Sequence, residues 1–172
     1  AMAAQHSATV FHVNSEIARQ VATAAADRPD DGLTLDARLH ARLSEIAARQ
    51  AHVTAIAITD AEGRVLVHSH AFPAPEGVRL DLPGPEALAG TWTAGIALTP
   101  PRRDPIGGGL VFGLVVPRVA QGRLAGAVVV ETGTDYLQHA YRGLAPVSDF
   151  TVAWVARDGW LLARRPGLEA PV

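Results

Sequence analysis

The chain has 172 residues, of which 48% are hydrophobic, with a formal net charge of −2 and no cysteine. A chain of this length can bury one substantial core but is too short for two ordinary domains, so we expect a single domain. Charges of both signs are spread along the chain, which argues against a nucleic-acid partner, and the lack of cysteine excludes disulfides, thiolate metal sites and thiol nucleophiles.

The ends of the chain suggest a piece of a longer protein. The opening Ala1-Met2-Ala3 looks like a cloning scar. No segment approaches the roughly 20 apolar residues of a membrane span, and the start lacks the order of a signal peptide. We expect residues 1–9 to be a tag remnant or a disordered lead, followed by one domain over 10–172 that is helical over 10–50 and contains a sheet over 53–165.

Two amphipathic helices are predicted first. Val13, Ile17 and Val21 recur three to four residues apart, which predicts a helix from Val10 to about Arg28. The run of residues 30–32 then breaks the pattern.

The second helix is predicted to begin after this break. Thr34 is in place to cap it, and Leu35, Leu39, Leu43 and Ile46 then share one face. The N-terminal third is therefore expected to be a pair of helices.

Three β-hairpins are predicted after residue 52, each with glycine in its turn. Each consists of two short apolar and β-branched runs on either side of residues that tolerate positive φ. Together they predict an antiparallel sheet. The paired runs are Val53–Thr59 with Arg64–Ser69, Leu110–Val119 with Arg123–Thr132, and Thr151–Ala156 with Trp160–Arg164.

The residues between the hairpins differ in character. Phe72–Gly109 is rich in proline and glycine, with room for a short helix at Pro85–Leu88 and a strand at Thr91–Leu98. Asp135–Leu144 carries an apolar stripe at helical spacing and predicts a crossover helix. The predicted fold class is α+β.

The second hairpin is apolar on both of its faces. Leu110–Val116 and Leu124–Val130 are apolar at nearly every position, so the sheet must be covered on both sides. The N-terminal helices can cover one face, which leaves the other to Phe72–Gly109 and the crossover helix. A sheet face roofed by loops favours a small-molecule cavity.

Five of these motifs, in this order, resemble the PDC type of PAS-like domain, also called Cache, found outside the membrane in bacterial diguanylate cyclases, histidine kinases and chemoreceptors. The resemblance covers most of the chain, from the second helix to the closing Asp-Gly hairpin. Its carriers are Leu43–Ala47, Val53–Leu66 with its Asp-x-x-Gly turn, Val116–Val130 with its strand arginine and glycine turn, Tyr136–Leu144, and Val155–Pro166.

The resemblance implies a five-stranded antiparallel sheet, with a long N-terminal helix on one face, loops and short helices on the other, and a ligand pocket on that far face. It also implies dimerisation through the N-terminal helix, a periplasmic location in an inner-membrane protein, and a diguanylate cyclase or histidine kinase as output. No enzyme activity, cofactor or metal is expected of the domain itself.

The signature of amino-acid-binding relatives is not found. Trp92 has no arginine just before it, and Asp149 stands without the rest of the signature. The small-molecule ligand is therefore left open, with an organic acid as one candidate.

Two histidines are candidate ligand-binding residues at the end of a strand. His68 and His70 are two residues apart and project to one side, so their imidazole nitrogens could also ligate a metal. Because no third ligand stands nearby in sequence, two half-exposed polar residues are the favoured interpretation, and no metal site is predicted.

Three further residues complete the predicted ligand set. Arg118 matches the family's strand arginine and could hold a ligand carboxylate, with a structural ion pair as the alternative. Trp92 could form a flat pocket wall, or it could be a core anchor. Tyr136 lies on the apolar stripe of the crossover helix, where packing explains it, although its phenol could extend into a pocket.

Three functions from different classes remain open. The first is a ligand-binding receptor input domain. The second is a structural or dimerisation module without a working pocket. A small hydrolase is the third, but Ser148 and Asp149 lack the Gly-x-Ser-x-Gly elbow that would expose a nucleophile, and Gly107–Gly109 lacks the lysine of a phosphate loop.

Overall fold

The computed structural model describes residues 2–84, 96–140, 152–155 and 161–165. Helices come first, the strands of the main sheet follow, and a short hairpin comes last. The elements are α1 (Met2–Ala25), α2 (Asp30–Thr34), α3 (Ala37–Ala48), β1 (Val53–Thr59), β2 (Val65–His68), β3 (Ala97–Leu98), β4 (Arg102–Arg103), β5 (Leu110–Ala120), β6 (Arg123–Gly133), α4 (Thr134–Ala140), β7 (Val152–Val155) and β8 (Leu161–Arg165).

Helix α1 is longer than the sequence pattern indicated. It begins at Met2 rather than at Val10, so residues 2–9, which were expected to be a lead, are helical. Its buried stripe runs through Val10, Asn14, Ala18 and Val21 at spacings of three and four residues. Among the described residues, no helix combines the length and the apolar character needed to span a membrane.

The start of the second long helix differs from the prediction. Asp36, not Thr34, caps α3, and its carboxylate accepts a 2.9 Å hydrogen bond from the amide of Leu39. The hydroxyl of Thr34 instead bonds the carbonyl of Asp30 within the short α2. Leu35 lies between the two helices and is 76% exposed, so its predicted place on the buried face is wrong.

The main sheet is antiparallel and has six strands in the order β2-β1-β6-β5-β3, with β4 also paired to β5. The first two predicted hairpins are confirmed, as β1–β2 and β5–β6. The third hairpin also forms, but β7 and β8 make a separate two-stranded sheet. Of the predicted elements, the helix at Pro85–Leu88 and most of the strand at Thr91–Leu98 lie outside the described residues.

Both faces of the main sheet are covered, as the apolar pattern predicted. One face carries Ile56, Leu114 and Val130 against the buried stripes of α1 and α3. The opposite face carries Ala57, Val115 and Val129 against apolar residues of the irregular stretch. These residues alternate along the strands, because successive side chains of a strand point to opposite faces. The residues of the irregular stretch that pack on this face are Ala74, Val78, Leu80, Leu82 and Ala97.

Candidate functional site

A cleft of about 820 Å³ lies at one end of the main sheet. Its walls are the end of α3, the beginnings of β1 and β5, the loop of residues 104–109, and α4. The irregular stretch and the crossover helix therefore both contribute to it. A lining that combines apolar walls with convergent polar groups is typical of small-molecule sites. The polar residues of the lining are Ser44, Thr54, His70, Asp104, Asp135, Tyr136 and His139.

The structure brings two of the five predicted ligand-binding residues to the lining of this cleft. His70 and Tyr136 line it. His68 is only 1% exposed, so the prediction that it is half-exposed is wrong, and its imidazole ring centre lies 5.7 Å from that of His70. Trp92 lies outside the described residues.

Arg118 does not line the cleft. Its side chain is completely buried, and its guanidinium donates to the carboxylate of Asp30 and to the carbonyls of Ala125, at 2.7 Å, and Arg28, at 3.2 Å. These contacts fasten the α1–α2 connection to the β5–β6 hairpin. They match the structural ion pair that was the alternative interpretation of this residue.

A buried charged cluster adjoins the cleft beside His68. Arg102 donates to one carboxylate oxygen of Glu131, and the side chain of Glu131 is entirely buried. The other oxygen, Oε2, and the Nε and Nη1 groups of Arg102 have no hydrogen-bond partner among the described residues. Asp104 completes the cluster, and its two oxygens accept hydrogen bonds of 2.9 and 2.8 Å from the amides of Ile106 and Gly107.

Sequence reasoning missed Arg102, Asp104 and Glu131. One signal was present, because Glu131 follows the apolar run Val128–Val130 on a strand buried on both faces. A carboxylate in such a place must find a partner, since an isolated buried charge is very costly. The sequence did not indicate which residue that partner would be.

Burial and neighbouring charges shift the pKa values of His68 and Glu131 in this cluster. Burial lowers the pKa of His68 to about 4, and the negative charge of Asp104 opposes this only in part. Burial raises the pKa of Glu131, and the positive charge of Arg102 opposes this rise. At neutral pH His68 is therefore an uncharged imidazole.

Acidification from about pH 7.5 to about pH 5 is expected to cost about 2 kcal/mol of unfolding free energy through His68. The pKa of this group is about 4 in the folded chain, against 6.5 for a histidine in the unfolded chain. Between these values the unfolded chain binds more protons. The contribution is therefore complete above pH 6.5 and is lost as the pH falls. Urea denaturation of the wild type and of His68→Gln at both pH values measures it.

Glu131 titrates in the opposite sense, because its raised pKa lets the folded chain take up a proton first. The difference between the two proteins isolates the histidine. His68→Gln should lose about 2 kcal/mol less than the wild type over this range. Equal losses would show that His68 is not held neutral by burial.

A buried polar network connects the cleft to α1. The amide nitrogen of Asn14 donates to the hydroxyl of Thr132 at 2.8 Å, and the Nε2 of His52 lies 2.9 Å from the Asn14 amide oxygen. Burial lowers the pKa of His52, which favours its neutral form. The cleft residue Tyr136 stacks on His6 of α1, and its hydroxyl lies 3.4 Å from the His6 Nε2.

Comparison with known proteins gives matches only at the level of structure. The sequence matches no family model and no curated protein. The extracellular domain of rpHK1S-Z16, which is named as a histidine kinase, superposes with a TM-score of 0.74 at 19% identity, over 95% of this chain and 66% of that one.

Two chemoreceptor domains have the same architecture. The ligand-binding domain of the Pseudomonas fluorescens chemoreceptor CtaA, in complex with L-serine, gives a TM-score of 0.65 at 20% identity, over 94% of this chain and 67% of that one. The sensory domain of the Campylobacter jejuni chemoreceptor Tlp3, with isoleucine bound, gives 0.64 at 13% identity, over 95% and 66%.

This chain spans about two thirds of the length of those solved domains. The matched domains are receptor sensor domains and not catalytic domains. The long helix, the antiparallel sheet and the order of the hairpins agree with the resemblance stated from the sequence. This chain has the fold of the extracellular ligand-binding sensor domains of histidine kinases and chemoreceptors.

Proposed function

We propose that this chain is an extracytoplasmic ligand-binding domain that provides the signal input of a transmembrane signalling protein. The observation that carries the proposal is the cleft of about 820 Å³, with a buried charged cluster at its wall, in a sensor-domain fold. The output domain is proposed to be a histidine kinase or a diguanylate cyclase, and the domain itself is proposed to perform no catalysis.

The lining of the cleft supports a small organic ligand with at least one charged group. His70, Tyr136 and Asp104 offer polar contacts, and the half-exposed Leu110 offers an apolar surface. The two chemoreceptor domains described above were solved with L-serine and isoleucine. We therefore propose amino acids and organic acids as the first ligand classes to test, with His70 and Tyr136 as direct contacts.

The polar network supports a route from the ligand to α1. A ligand that moves Tyr136 changes its stacking on His6, and β6 is joined to α1 through Thr132 and Asn14. A ligand shifts such an equilibrium only through its different affinity for the two arrangements. We therefore propose Tyr136 as the residue through which ligand binding reaches α1.

A ligand of the cleft at about 100 times its dissociation constant is expected to stabilise the folded chain by about 2.7 kcal/mol. Thermal unfolding measured against amino acids, organic acids and amines identifies it. Ala48→Trp should remove the stabilisation, because Ala48 is an exposed residue of α3 that lines the cleft, where an indole would fill the space.

Ala41→Trp is the matched control. Ala41 is exposed on the same helix and is not part of the cleft lining, so this variant should keep the stabilisation. A ligand that stabilises the wild type and Ala48→Trp equally would place its site elsewhere. No stabilisation by any of these compounds would favour a structural module without a working pocket.

The alternative proposal is a dimerisation module of a membrane receptor that binds no ligand. Both proposals permit a homodimer through α1, so the oligomeric state alone does not separate them. Sedimentation of the chain across a concentration series, with and without the ligand found above, does so. Self-association of a chain that none of the tested compounds stabilises would support the alternative.

A further inference from the structure

The buried cluster beside the cleft contains three groups of the kind that bind metal ions. His68 ends β2, Asp104 follows β4, and Glu131 lies on β6. One ligand atom of each lies within 4.8 Å of those of the other two, and all three residues are buried. Three protein ligands with an open position on one side are typical of metal sites that also bind a further molecule.

Glu131 provides the second, independent observation. Its side chain is fully buried, and its Oε2 has no partner among the described residues. An unsatisfied buried carboxylate oxygen is costly, and Arg102 bonds only the other oxygen. A cation held by Oε2 would satisfy it without disturbing that ion pair.

The charge of the cluster favours a cation. The cluster holds two carboxyl groups, those of Asp104 and Glu131, and one guanidinium group, that of Arg102. The carboxyl groups of the cluster therefore outnumber its guanidinium group. A divalent cation would balance this excess of carboxyl groups.

Asp104 is already oriented for such a role. Its two oxygens are fixed by the amides of Ile106 and Gly107, and each oxygen keeps a further lone pair. Hydrogen-bonded carboxylates of this kind are common around bound metals, because the outer contacts orient the ligand. Asp104 also lines the cleft, which gives an ion a path to the buried His68 and Glu131.

His68 must adjust when an ion binds. Its Nδ1 accepts a 3.2 Å hydrogen bond from the amide of His70, so the neutral ring carries its proton on Nε2. Ligation through Nε2 would transfer the ring proton to Nδ1 and break this long contact. The ligand atoms, which lie within 4.8 Å of one another, must also come to roughly 3 to 3.5 Å apart, because metal–ligand bonds are about 2.0 to 2.2 Å long.

We propose that His68, Asp104 and Glu131 bind one divalent transition-metal ion at the wall of the cleft. One imidazole nitrogen with two carboxylates favours Zn²⁺ or Mn²⁺ over Mg²⁺ and Ca²⁺, which prefer oxygen ligands alone. Because Asp104 lines the cleft, the remaining coordination positions of the ion would face the cleft. This site is a property of the chain whether or not the proposed organic ligand binds.

Calorimetric titration of chelator-treated protein with Zn²⁺ alone, and with Mn²⁺ alone, tests the proposal. We expect one ion per chain, with Ca²⁺ binding much more weakly. Glu131→Gln and Asp104→Asn, which preserve shape, should each weaken Zn²⁺ binding by at least about tenfold. Glu45→Gln and His12→Gln alter exposed residues of the same types and should leave it unchanged.

Two further measurements keep the result interpretable. Circular dichroism confirms that each variant is folded, and Co²⁺ titration followed by its visible absorption reports a histidine-containing site directly. Absence of binding to the folded wild type would overturn the proposal. So would equal binding by wild type and Glu131→Gln, or loss of binding only in His12→Gln, since these would show an adventitious surface ion. None of these readouts depends on the proposed organic ligand.

Discussion

Replacing Gly126 by alanine is expected to lower the free energy of unfolding by more than about 4 kcal/mol, or to prevent folding. Gly126 on β6 has a φ of +149°, and an added Cβ would lie 1.9 Å from the carbonyl oxygen of Thr59. That atom belongs to the backbone of the neighbouring strand β1, so no side-chain rotation can relieve the clash. Both the strained φ and the overlap would act at the centre of the sheet.

Gly122→Ala is the matched control on the same hairpin. Gly122 also has a positive φ, of +73°, but an added Cβ would meet nothing within 4 Å. Its cost should therefore be the backbone term alone, about 1 to 2 kcal/mol. Urea denaturation of both variants measures the difference. Equal costs at the two glycines would mean that the close approach of β1 to β6 is not as described.

Replacing Arg118 by methionine is expected to cost about 3 kcal/mol of stability. Methionine retains much of the buried volume but removes the donors to Asp30 and to the carbonyls of Arg28 and Ala125. The two carbonyls would lose charge-assisted bonds, and the α1–α2 connection would lose its attachment to the hairpin. Asp30 is 44% exposed and can be rehydrated, which limits the loss.

Arg123→Met is the control, because Arg123 is exposed on the same hairpin. It should change stability by no more than about 0.5 kcal/mol. Urea denaturation of both variants measures the difference, and it also separates a structural role of Arg118 from a ligand-binding one. Stability like that of the wild type, combined with lost affinity for a cleft ligand, would identify Arg118 as a ligand-binding residue instead of a structural one.

The elements of this fold follow from local patterns. Alternating or fully apolar runs on either side of a glycine turn predicted both hairpins of the main sheet, because side-chain period and turn geometry are properties of neighbouring residues. The start of α3 was predicted less well. Thr34 and Asp36 are both acceptable caps, and the sequence pattern does not show that a separate short helix begins directly after Pro29.

The site was only partly predictable. The sequence predicts His68 and His70 together as candidate ligands, and it indicates no metal site because no third ligand lies near them along the chain. In the structure, β2 and β6 are both partners of β1, and the loop after β4 reaches the same region. Groups that are far apart in the chain thus become neighbours through strand order.

The sequence by itself determined the helices, the hairpins and the need to cover both faces of the sheet, because these depend on periodicity and turn residues. The tertiary structure alone decided which charges are buried together. It placed Arg118 against Asp30, and it gathered His68, Asp104 and Glu131 beside the cleft. Charge pairing depends on distance in space, and strand order, which no local pattern encodes, sets that distance.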